Sequence, residues 1–155
     1  MIQRIQSLYL FLTTIVSGLF LKGSFLSFIN SSGSESFLRF TGVYQLTGET
    51  GSELIGRMIP LTVISLLIPV ISFITIFLFR KRNLQTKLII ILLVLEILLI
   101  VTGAFYAFTM LQNHPSSVIP ELNFFFPFLE IIFTFLAYIG IRKDEALIKS
   151  YDRLR

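Results

Sequence analysis

Two carboxylic acids stand where a carboxylic acid is costly. In LLVLEILLI, residues 92–100, Glu96 is set among eight aliphatic side chains, and in FFFPFLEIIFTFLAY, residues 124–138, Glu130 is set among aromatic and aliphatic ones. The apolar segments that hold them contain no lysine or arginine. Desolvation without a nearby cation disfavours the ionised form, so each acid is expected to be neutral. A neutral carboxyl both donates and accepts a hydrogen bond, and it needs partners for both. Three kinds of chemistry follow from such a pair. The acids can join helices by hydrogen bonds, each worth about 0.6–2 kcal/mol. They can belong to a proton or ion route, or one of them can pair with a basic residue of a partner subunit.

Other reactive constellations are not expected. His114 is the single histidine, in a turn before Pro115, with no neighbour placed to make it a general base. It has too few companions to hold a metal. Cysteine is absent, which excludes thiol nucleophiles, disulfides and thiolate metal sites. Neither a phosphate-cradling glycine loop nor an H-E-x-x-H helix occurs. The expectation is therefore a protein that is not an enzyme and uses no cofactor.

Partners for the acids are sought at helical spacing. Glu96, Ile100, Gly103 and Ala107 share one face, and the small residues of GAFYA suit close helix approach. Asn123, Pro127, Glu130, Thr134 and Ala137 share another. Thr62, Ser65, Pro69 and Ser72 line up on a third segment; Gln6, Thr13 and Ser17 do so on a fourth, with Gln3, Ser7, Thr14 and Gly18 alongside. Four such stripes facing one another make a polar interior, with Glu96, Glu130, Thr134, Ser65, Ser72 and Thr13 as the candidate site.

The elements that must carry this site are set by composition. Of 155 residues, 54% are hydrophobic and 14% charged, against about a quarter charged in soluble domains. A soluble fold of this size leaves much of its surface wet and could not hide so much apolar area. Lipid is the expected solvent. Four segments are long enough to cross a bilayer, which takes roughly 17–25 mostly apolar residues: 5–21, 59–79, 88–111 and 122–141. The first resembles a signal peptide in length, but VSGLFLKGSF offers no A-x-A-like cleavage site, so it is read as a retained span. At 1.5 Å per residue, Glu96 lies about 13 Å along its helix from Lys87 and Glu130 about 18 Å before Arg142. Both acids fall near the middle of a hydrocarbon core about 30 Å thick.

Charge placement sets the orientation. Arg4, Arg80, Lys81, Arg82, Lys87, Arg142, Lys143, Lys149, Arg153 and Arg155 fall on one side; only Lys22, Arg39 and Arg57 fall on the other. The positive-inside rule places both termini in the cytoplasm. The net charge of +4 is then a match for anionic lipid headgroups, with no nucleic-acid motif in view.

Two regions outside the spans are candidate contact surfaces. The connection 22–58 has β-prone runs, SFLSFIN and SFLRFTGVYQL, on either side of SSGSE, which predicts a hairpin with a longer loop. The short connection QNHPSSVIPE reads as turn-rich, with Glu121 facing the positive end of the last helix. The tail 142–155 places Leu147, Ile148, Tyr151 and Leu154 on one helical face, with charged residues elsewhere. That is an amphipathic helix for the membrane surface or a partner's groove. Arg80, Lys81, Arg82, Leu147, Ile148, Tyr151, Arg153 and Leu154 are the candidate lipid or partner contacts, the partner being another membrane protein or a second copy of the chain.

MIQRIQSLYL at the start, RKRNLQTKL in the middle and IRKDEALIKSYDRLR at the end together resemble a family of small four-span membrane proteins of Bacteroidota that carries a domain of unknown function. The resemblance covers essentially the whole chain and implies a Gram-negative inner membrane. It implies no reaction, substrate or cofactor. The expected fold is an all-α four-transmembrane-helix bundle in one domain, with a small β-prone outer loop and a C-terminal amphipathic cytoplasmic helix. The expected role is a non-enzymatic accessory or scaffold protein. The alternative is a small proton-coupled transporter or channel using Glu96 and Glu130.

Overall fold

The long apolar runs carry the helices. The computed structural model describes residues 5–30, 35–47, 51–78, 81–113 and 116–153. Helix α1 covers Ile5–Phe20, α2 Ile59–Phe77, α3 Arg82–Asn113 and α4 Phe126–Arg153. Pro60 lies in the first turn of α2, where its missing N–H has no intrahelical acceptor in any case. The four helices form a closed ring: α1 packs on α2 and α4, and α3 packs on the same two.

The ring is inverted relative to a soluble bundle. Val94, Ile97, Val101, Phe105 and Phe108 of α3 point outward, each more than two-fifths exposed, while Thr13, Ser72, Thr75, Glu96, Glu130 and Thr134 are fully buried. Such a surface suits lipid, which lets the polar side chains gather inside. Among the described residues three helices are long and apolar enough to cross a membrane, within Ile59–Phe77, Asn83–Gln112 and Leu122–Asp144, and they point to a membrane protein. Helix α1 has 16 residues. It spans about 24 Å, short of the full hydrocarbon thickness.

The all-α expectation is overturned. Five strands, β1 Ser24–Asn30, β2 Glu35–Arg39, β3 Gly42–Thr47, β4 Gly51–Arg57 and β5 Ser116–Pro120, form one antiparallel sheet in the order β4-β3-β2-β1-β5. The anticipated hairpin exists as β1–β2, with Ser27 opposite Phe37 and Phe28 opposite Ser36, but it is the centre of a larger layer. Two features kept the rest out of view. The residues of β4, GSELIGR, are exposed at all but one position, so no alternation marks them. β5 is five residues long, ends in Pro120 and pairs only with β1; an edge is where a sheet tolerates proline.

The sheet is tied to the bundle at both ends. Phe25, Leu26, Phe28, Leu38 and Val43 are buried and join the helix residues Phe20, Leu61 and Leu99 in one core. At the sheet–α2 corner Met58 N–H donates to Thr41 O at 3.2 Å, and Thr62 Oγ1 donates to Phe40 O at 2.9 Å. Gly42 is required there: a Cβ on it would run into the carbonyl oxygen of Gly56 on the paired strand. A second departure concerns the tail, which is not a separate helix. It continues α4 without a break through Arg153, because no proline or glycine interrupts 141–153.

Candidate functional site

The buried polar side chains are delivered by three helices. Glu96 comes from α3, Thr134 and Glu130 from α4, and Thr13 from α1; each is 0% exposed. Thr134 Oγ1 donates to Glu96 Oε1 at 2.6 Å, and the Thr13 and Thr134 hydroxyls are 3.3 Å apart. Thr13 also reaches back to Tyr9 O at 3.1 Å, a local bond common for threonine in membrane helices. A relay of hydroxyls thus crosses from α1 through α4 to an acid on α3. Glu130 lies four residues before Thr134, one helical turn away on the same face of α4.

Acceptors remain. Glu96 Oε2 and both carboxyl oxygens of Glu130 are buried and receive no hydrogen bond from any described hydroxyl or amide. Among the described residues the buried polar set includes no lysine or arginine, so no cation stands with the acids. The site is a buried hydrogen-bonding node. It can hold three helices in register.

Of the expected group, Glu96, Thr134 and Thr13 meet directly and Glu130 sits one turn off. Ser72 works elsewhere: it donates to Leu10 O at 2.9 Å and accepts from Thr14 Oγ1 at 3.0 Å, joining α2 to α1. Ser65 is buried but bonds its own helix at Thr62 O, 3.0 Å away. The cytoplasm-facing contacts expected from charge are less fully placed. Lys81 is exposed. Arg80 and Leu154, like His114, lie outside the described residues, as do the side chains of Arg82, Leu147, Ile148, Tyr151 and Arg153.

Three polar contacts were not foreseen. Gln6 Nε2 donates to Asp144 Oδ2 at 3.2 Å, joining α1 to the end of α4. Gln85 Nε2 donates to Thr75 O at 3.3 Å across the α2–α3 turn. Glu121, expected to face the helix dipole, makes no side-chain cap and instead accepts from Ser24 and Ser27 of β1. Residues three apart on a regular strand face opposite ways. Here the register shifts between Ser24 and Leu26, and the extra residue turns both serines to one side. Nothing in the residue types announces that bulge.

The small residues of α3 also act differently from expectation. Gly103 and Ala107 do not bring two helices together; they line an apolar cavity of about 420 Å³ with Leu99, Phe124 and Pro127. A Cβ on Gly103 would find only the ring of Phe25, 3.8 Å away. On α3 and α4 the cavity reaches Leu99 and Pro127, each three residues short of an acid.

No curated protein matches the chain. A family model does, across residues 2–154. With that coverage the chain belongs to the family described as a domain of unknown function, DUF4293.

Proposed function

We propose that this is a non-enzymatic accessory or scaffold protein of the bacterial inner membrane, with four membrane-embedded helices, both termini in the cytoplasm and the sheet outside. The observation that carries this reading is the sheet. It is a folded layer, and among the described residues no strand pairs with the outer side of β4. Natural edge strands are blunted by lysine, proline or bulges. β4 has Glu53 and Arg57 as its charges and a bulge at Ile55, where its register with β3 shifts, yet Leu54 and Ile55 are 40% and 59% exposed on it. An edge of that kind accepts a strand from another protein by backbone pairing. Basic residues at the opposite end of the bundle, Lys81, Lys87 and Lys143 among them, supply attraction to anionic headgroups.

A photo-crosslinking residue at Leu54, used in native membranes before gentle detergent extraction, tests the reading. The expected result is one discrete crosslinked species in fixed ratio to the protein, lost when Ile55→Pro disrupts the edge. Uncrosslinked monomer throughout refutes it.

A second reading is a small proton-coupled transporter or channel acting through Glu96 and Glu130. The partnerless carboxyl oxygens favour it, since such groups in membranes are often functional; the complete burial of both acids counts against it. Its test is pH-driven flux in proteoliposomes. Flux abolished by Glu96→Gln and Glu130→Gln would establish it, and absent flux would remove it.

A further inference from the structure

We propose that the cavity between the sheet-proximal halves of α3 and α4 holds an acyl chain of a bilayer phospholipid. Its walls are almost wholly apolar, with Phe20, Phe25 and Leu26 closing the side beneath the sheet and Gly103 and Ala107 forming the wall on α3. Phe20 and Phe25 stack at 5.8 Å between ring centroids, which makes that side rigid. At about 420 Å³ the space falls within the range of genuine ligand cavities, roughly 300–1,000 Å³.

What fills it follows from the walls. The space opens on the outer surface of the helices, so it is filled by whatever solvates that surface. Water needs two to four polar partners to stay in a cavity, and these walls supply almost none. The filler is therefore apolar. The mouth identifies the source. It is rimmed by Ala104, Phe108, Leu111 and Phe128, all exposed. These rim positions belong to the same outward apolar surface as Val101 and Phe105 of α3 and Leu129 and Ile132 of α4. The cavity is thus continuous with the belt that lipid chains already cover, and a chain enters sideways without crossing water. The inference needs only the membrane setting; it stands whether or not β4 binds a partner.

The test reconstitutes the protein in nanodiscs with a phosphatidylethanolamine carrying a diazirine midway along one acyl chain. After irradiation, adducts are mapped by peptide mass spectrometry. The expected result is adducts concentrated on 99–111 and 124–128, above those on the outward residues Val94 and Ile97. The variant Gly103→Leu with Ala107→Leu fills the space and loses the first set while keeping the second. Adducts spread evenly round the helices of the native chain, or a first set untouched in a folded filled variant, overturn the proposal. The native map needs no variant, so a filled chain that fails to fold leaves the test intact. A diazirine-bearing free fatty acid is run in parallel; labelling of the lining by the fatty acid alone overturns the assignment to phospholipid.

Discussion

Replacing Thr134 by valine removes a hydroxyl and almost no volume, and the structure says what each group loses. Glu96 loses the donor that reaches its Oε1; its Oε2 has none to begin with. Thr13 keeps Tyr9 O as an acceptor, so the damage falls on the acid. The hydrogen bond itself is worth about 0.6–2 kcal/mol in a membrane. Leaving a buried polar group wholly unsatisfied costs about 1–3 kcal/mol, and the second figure governs because Glu96 is fully buried. Thr134→Val is therefore expected to destabilise by about 1–3 kcal/mol. Removing both partners by apolar groups of similar shape is nearly neutral, so the double variant Thr134→Val with Glu96→Leu is expected to be more stable than Thr134→Val alone. The assay is reversible unfolding in bicelles, read as a double-mutant cycle. A Thr134→Val variant as stable as the native chain, or two costs that simply add, would refute the node.

Three further outcomes are expected. Gly42→Ala forces a methyl group against the Gly56 carbonyl and should destabilise by about 1–3 kcal/mol, seen as faster amide exchange in β3 and β4 ahead of the helices. Glu121→Ala strips Ser24 and Ser27 of their shared acceptor and should loosen the β1–β5 pairing, with Glu121→Gln intermediate; equal exchange in all three proteins would contradict this. The chain has no cysteine, so single cysteines report orientation directly. Ser52→Cys on β4 should react with an impermeant maleimide in spheroplasts, and Lys143→Cys only after permeabilisation; the reverse pattern inverts the topology.

The candidate site was half legible in advance. Glu96 and Thr134 announce themselves because a polar residue in a long apolar run must turn inward, and helical spacing says which neighbours turn with it. Ser72 obeyed the same rule but bonded a different helix. Spacing along one helix fixes a face, and only the packing of several fixes which faces meet. Gly103 and Ala107 show the limit most clearly. Small residues permit close approach, but at the sheet-proximal end they border a cavity instead.

Composition and periodicity by themselves determined that most of this chain is helical, that the outside of its helices is apolar and that Glu96 and Glu130 are buried. These are local consequences of side-chain solubility and the 3.6-residue turn. The sheet was decided elsewhere. β5 is a strand because β1 offers it backbone partners, though 94 residues separate Pro120 from its partner Leu26, and β4 is a strand because β3 does the same. Backbone hydrogen bonding between distant segments leaves no mark in residue type when the side chains face outward. The tertiary structure alone turned stretches read as one hairpin and turns into a five-stranded layer, and set a hollow beneath it.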